Sequence, residues 1–186
     1  MNVRLLPLSF SLAITLLASP HTVFAERADR EKPVNIEADK LTVDDKNKIQ
    51  TFEGNVKLVQ GTLLILADKV VVTQDADGFQ KGTATGGEGG LSRFKQKREG
   101  RDDYVEGEAE RIEYDGHTDL AQLFQRAYVK SGNDEVRAPY IQYNGVTENY
   151  LVTDGSNAGV AKGGQRVSAT IQPNRPASTT PAPPKP

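Results

Sequence analysis

The acidic residues Asp39, Asp68 and Glu110 occupy matching places in Ala38-Asp39-Lys40, Ala67-Asp68-Lys69 and Ala109-Glu110-Arg111. Carboxylates gathered in one cleft can divide general acid and general base work in a hydrolysis. Each is followed at once by a cation, so solvated, charge-paired strand ends are the simpler reading. Hydrolysis also needs a nucleophile, a base and a group orienting the base, and the chain offers no such set. No catalytic residue is therefore assigned, although an envelope hydrolase stays open as the least favoured reading. A metal centre has still less to stand on. The chain has no Cys and two His, His21 in an apolar leader and His117 beside Gly116 in a turn. No metal and no cofactor is expected.

Two other clusters invite chemistry. Gly86-Gly87-Glu88-Gly89-Gly90 lacks the Lys-Ser/Thr ending of a phosphate loop, and no helical pattern follows it, so it reads as a loop or bulge between strands. In Arg93-Phe94-Lys95-Gln96-Lys97-Arg98, the cations Arg93, Lys95 and Lys97 fall on one strand face and Phe94 on the other. That alternation fits an edge strand guarded by basic residues. It fits equally a phosphate-attracting rim beside an apolar cavity. Glu99, Asp102 and Asp103 offset the local charge, which argues against nucleic acid as a partner.

The elements that must carry these residues are strands. Phe52, Val56 and Leu58 alternate with Glu53, Asn55 and Lys57, a period of two with one buried face. Gly61-Thr62 interrupts, and a second apolar run, Leu64 to Val72, starts at once, as in a tight antiparallel hairpin. Shifting the chain by 71 residues lays it on itself without a gap. Glu37-Ala38-Asp39-Lys40-Leu41 meets Glu108-Ala109-Glu110-Arg111-Ile112, Val56 meets Ala127, Leu58 meets Val129 and Gly61 meets Gly132. The segment Gly82 to Asp103 lies outside the repeat. Short runs of Val, Ile, Leu and Thr between Gly, Asn and Asp complete an all-β reading of repeated hairpins, none of which buries its apolar face alone.

The 186 residues suit one such domain, with a formal charge of -2. Residues 1–25 read as a secretory signal: Arg4, an apolar run from Leu5 to Leu17, then Val23-Phe24-Ala25 as cleavage site. The run falls short of the roughly 20 apolar residues that span a bilayer. Residues 26–32 read as a flexible charged segment, 33–172 as the folded β-domain, and 173–186, rich in Pro, Ala, Ser and Thr, as a disordered tail.

Ile36-Glu37-Ala38-Asp39, Phe52-Glu53-Gly54-Asn55-Val56, Gln60-Gly61-Thr62, Ala67-Asp68-Lys69-Val70-Val71-Val72-Thr73 and Val105-Glu106-Gly107 stand in an order and spacing that resemble the OstA-like family of lipopolysaccharide transport proteins. The resemblance covers residues 33–155 and departs from the family pattern at Gly86 to Asp103. It implies a periplasmic β-jellyroll, an open twisted semi-barrel with an apolar interior that holds the lipid A chains of lipopolysaccharide. It also implies head-to-tail oligomers and stacking on inner-membrane LptC-like and outer-membrane LptD-like jellyroll domains, so that lipopolysaccharide passes from inner to outer membrane. By position, Val34, Ile36, Phe94 and Tyr114 match groove-lining places; with Val43, Phe52, Val56 and Leu58 they make the candidate lipid groove. Arg93, Lys95 and Lys97 are the candidate phosphate rim. A periplasmic scaffold with a filled core, joined by its edge strands and carrying no lipid, is the alternative reading.

Overall fold

The structure, a computed structural model, describes residues 29, 32–74, 80–98, 101–144, 146–147, 149–156, 158 and 166–172. The expected leader, the turn at Asp75 to Gly78 and the tail 173–186 lie outside the described residues. Among the described residues twelve strands follow in chain order: β1 (Asn35–Glu37), β2 (Lys40–Asp44), β3 (Ile49–Gln60), β4 (Leu63–Gln74), β5 (Gln80–Thr85), β6 (Ser92–Lys97), β7 (Tyr104–Ala109), β8 (Arg111–Asp115), β9 (Leu120–Ser131), β10 (Asp134–Asn144), β11 (Asn149–Thr153) and β12 (Ser168–Thr170). Every pairing is antiparallel, and the fold is all-β.

Four long strands, β3, β4, β9 and β10, run through two layers, and short strands complete each layer. β3 pairs with β2 through its first half and with β1 through its second. β4 divides likewise between β5 and β6, β9 between β8 and β7, and β10 between β11 and β12. One layer therefore runs β2-β3-β4-β5-β8-β9-β10-β11 and the other β1-β3-β4-β6-β7-β9-β10-β12. The layers meet along a vertex, as an open β-jellyroll.

The vertex is written into the long strands as β-bulges. On β3, Gly54 and Asn55 face Asp68 alone, because the register steps from Glu53↔Lys69 to Val56↔Ala67. On β9, Gln125 and Arg126 face Pro139, between Phe124↔Tyr140 and Ala127↔Ala138. All four bulge residues have positive φ: 81° and 47° in the first pair, 63° and 49° in the second. An extra residue bends its strand and raises its twist, which redirects each strand from one layer to the other. Pro139 has no N–H to give, and it sits where the ladder is already interrupted. The Asp39 N–H donates to the Gly54 carbonyl at 3.0 Å, and the Glu110 N–H to that of Gln125 at 3.1 Å. These features recur at the 71-residue spacing.

Glycine takes the left-handed conformation freely, whereas a side chain there costs about 1–2 kcal/mol. Gln125 holds the place that Gly54 holds in the first repeat. Gln125→Gly is therefore expected to raise stability by about 0.5–1 kcal/mol, read as a higher urea midpoint at unchanged slope. A lower midpoint would mean that the Gln125 side chain contributes more than its backbone costs.

Alternation across the ladders fixes what points inward. One row runs Leu41, Phe52, Val70, Ala84, Ile112, Leu123, Ile141 and Val152 across the first layer. Another runs Ile36, Leu58, Ile65, Phe94, Gly107, Val129, Val136 and Ala169 across the second. The core lies between the rows, most deeply at Val56, Ala109, Leu123, Ala127 and Ile141.

Asp29 belongs to the segment 26–32, of which residues 29 and 32 are described. It is buried, and its carboxylate accepts hydrogen bonds from the Thr62 N–H at 2.8 Å and the Thr62 hydroxyl at 2.5 Å. Gln60 adds a bond from its side-chain amide to the Lys32 carbonyl at 3.1 Å. The β3–β4 turn thus supplies the donors that hold this charged residue in place.

Candidate functional site: a groove between two β-layers

Where the layers open away from the vertex they enclose a cavity of about 320 Å3. Its apolar wall includes Val34, Ile36, Phe52, Leu58 and Tyr114, joined by Leu63, Ile65, Val70, Val72, Ala84 and Ile112. Lys48, Gln50, Gln60, Gln74 and Lys81 also line it, so polar heads border an apolar interior. A narrower space of about 70 Å3 adjoins it and shares Gln60, Leu63, Ile65, Ile112 and Tyr114. Phe94, Val105, Ala121 and Tyr143 carry the groove on from there.

Two local devices shape this wall. Phe94 needs Gly107 across the ladder: a Cβ at Gly107 would stand 2.2 Å from Phe94 Cε1 and 2.9 Å from the Tyr128 carbonyl oxygen. Without a side chain at 107, the ring can occupy the space across the ladder. Tyr114 is anchored at its rim end, its hydroxyl donating to Asp119 at 3.0 Å.

The wider part of the groove is bordered mostly by the first repeat, and the second repeat borders chiefly its narrower part. Phe52 and Val70 border the cavity, whereas their counterparts 71 residues on, Leu123 and Ile141, have no exposed surface. Val56 shares the inward phase of Phe52 and Leu58 but follows the bulge directly, and the vertex seals it in the core; it lines neither cavity. Val43 lies in register with Gln50 on outermost β2, is half exposed and lines neither. Leu63, Ile65, Val70, Val72 and Ile112 were not among the sequence candidates. The spacing of Val70 and Val72 signals an inward pair, but nothing local places Leu63 and Ile65 beside them, as the phase of β4 switches at Asp68.

The candidate rim residues are on the outer face. Arg93 Nε donates to Glu108 at 3.1 Å and its Nη1 to Glu88; Lys95 pairs with Glu106 at 2.6 Å and Lys97 with Asp102 at 3.1 Å. Glu108 and then Glu88 hold the Arg93 guanidinium above its usual range, and Glu106 does the same for the Lys95 ammonium. The edge-strand reading is corrected too, because β6 lies between β4 and β7. Register puts Arg93 opposite Glu108 and Lys95 opposite Glu106, so the basic alternation answers an acidic one on the neighbouring strand.

The matching carboxylates also find other partners than their sequence neighbours. Asp39 accepts from the Asn55 amide at 2.9 Å and Glu110 from Arg126 Nε at 2.6 Å, each at the bulge of its own repeat. Lys40 and Lys69 both reach Glu53, at 3.0 and 3.1 Å, and hold its carboxyl below the usual range, Lys40 most. Adjacent residues of a strand face opposite ways, which is why Asp39 and Lys40 part. Among the described residues no three His, Cys, Asp or Glu gather as a metal site, and no helix is long and apolar enough to cross a membrane.

Residues 35–149 match the family described as LptA/(LptD N-terminal domain) LPS transport protein. The chain is 32% identical over 170 residues to the lipopolysaccharide export system protein LptA of Escherichia coli K12, covering 91% of this chain and 87% of that protein. It is 28% identical to the lipopolysaccharide export system protein LptH of Pseudomonas aeruginosa, over 93% of this chain and 97% of that one. In fold it is similar to the crystal structure of that organism's LptH, described as the LptA-homologous periplasmic component of the lipopolysaccharide transport device. The TM-score is 0.71 at 23% identity, with 78% of this chain and 99% of that chain covered.

Proposed function

Because the chain belongs to the LptA/LptD N-terminal domain family of lipopolysaccharide transport proteins, we propose that it is a lipopolysaccharide carrier that seats acyl chains between its two β-layers. The observation that carries this reading is the groove itself, apolar along both inner rows and bordered by Lys48, Gln50, Gln60, Gln74 and Lys81. Each methylene moved from water into such a space contributes about 0.8 kcal/mol, so part of one acyl chain already outweighs repulsion from a weakly acidic exterior. No proton transfer or bond cleavage is needed, and the protein works as a carrier rather than an enzyme. Its place is the periplasm, between LptC-like and LptD-like jellyroll domains. Extraction of the purified chain followed by mass spectrometry should recover bound lipopolysaccharide, or show its uptake when added. A chain that neither retains nor captures it would overturn the proposal.

The ends of the layers support head-to-tail stacking. Among the described residues nothing pairs with the outer edges of β1 and β2 at one end or of β11 and β12 at the other. Exposed edges are templates for further strands. Joining β1 of one copy to the far end of the next would continue the inner rows from protomer to protomer. Successive N–H groups of β1 point to opposite sides, so of Asn35→Pro and Ile36→Pro one removes a donor to β3 and the other a donor to the neighbour. One of the two is expected to abolish concentration-dependent assembly in sedimentation while the monomer melts as before. Unchanged sedimentation of both would count against edge pairing.

A further inference from the structure

On the outer face beside the vertex, a second cavity of about 390 Å3 is bordered by Arg126, Arg137 and Arg166. They come from three places: the β9 bulge, β10, and the residues leading into β12. Ala127 and Ala138 also line the space, while Ser168 adds a hydroxyl. Among the described residues the lining holds one carboxylate, Glu108, and Arg93 already donates to it at 3.1 Å. Arg126 gives Nε to Glu110 at 2.6 Å and Nη2 to the Gly89 carbonyl at 3.2 Å, which fixes its plane against the β5–β6 loop. Arg137 is stacked over the Tyr128 ring, 4.0 Å from its centroid. Among the described residues no carboxylate forms an ion pair with Arg137 or Arg166.

Glu110 offsets Arg126 and Arg93 shares Glu108, so Arg137 and Arg166 leave the space with an excess of positive charge that attracts an anion. Two of the three are already oriented, Arg126 by hydrogen bonds and Arg137 by stacking, so little freedom is lost on binding. A carboxylate offers two oxygens in one plane. A tetrahedral phosphate offers oxygens in three directions, which suits forks that converge from separate strands. We propose that this is a binding site for a phosphomonoester, whether free, on a soluble sugar or on a lipid headgroup. It lies on the face opposite the groove and shares no residue with it, so it stands independently of the carrier reading.

The test titrates the full chain, by calorimetry, with inorganic phosphate and with glucose 1-phosphate. A parallel arm measures flotation with phosphatidylcholine vesicles containing phosphatidic acid. Saturable binding that weakens with salt is expected, and about tenfold or more loss of affinity in Arg137→Gln/Arg166→Gln, as two charge-assisted contacts go. Binding of the soluble probes alone assigns the site to a soluble phosphomonoester; flotation lost in the double variant assigns it to a headgroup. Arg166→Gln alone, which breaks no contact within the described chain, guards against a folding defect. Absence of saturable binding by every probe, or a double variant of unchanged affinity and melting temperature, would overturn the proposal.

Discussion

Leu123→Ala is expected to lower the unfolding free energy by about 4 kcal/mol, while Leu58→Ala costs about 2 kcal/mol, in the upper part and at the lower end of the range for buried leucine truncations. The removed atoms are the same, so the difference comes from what each residue faces. Leu123 has no exposed surface and is ringed by core residues of both neighbouring strands, Ile112 and Ile141. Its loss leaves a closed void, and the cost of such a void grows with its volume. Leu58 is nearly as buried by area but borders the groove, so truncation enlarges a space that already exists and that solvent can enter. Urea unfolding of lipid-free protein measures both. Equal losses would mean that the groove is packed shut in the empty protein.

The same contrast shows how far the sequence carries. The period of two at Phe52, Val56 and Leu58 is legible because alternation is local, and the 71-residue shift because it preserves charge and apolar phase together. What separates Phe52 and Leu58, which line the groove, from Val56, which does not, is distance from a bend. That bend depends on two residues of β3 meeting one of β4, a fact about pairing rather than about either strand alone. The apolar runs Leu63 to Leu66 and Val70 to Val72 look inward on both parities. Only the step at Asp68 sends Leu63, Ile65, Val70 and Val72 inside and turns Leu66 out. Charge misleads for a related reason. Arg93, Lys95 and Lys97 read as a rim or an edge until β7 is placed beside them, and nothing in the sequence joins Asp29 to the Thr62 donors that reach it. In each case the missing knowledge is the identity of the neighbour across a ladder or turn.

Introducing a carboxylate into the groove separates a carrier from a filled scaffold, and Ile36→Asp is expected to reduce lipopolysaccharide capture by at least about tenfold, a cost of about 1.4 kcal/mol or more. Moving a charge against acyl chains is unfavourable unless water enters or the group takes up a proton. Ile36 lies on the outermost strand of its layer, next to the open edge, so in the empty protein its replacement hydrates at little cost to folding. Phe94→Asp goes deeper, where the ring packs over Gly107 and borders the narrower stretch. It should abolish capture and also lower the melting temperature, since a packed ring is lost. The order matters: capture fails before the fold at Ile36, and both fail at Phe94. A solid core would unfold first at either site. Photo-crosslinkers at positions 36, 94 and 114 should label added lipopolysaccharide, whereas one at Lys57, turned outward beside Glu37, should not. Adducts as strong at Lys57 as at the three groove positions would place the lipid on the outer surface and remove the groove from the mechanism.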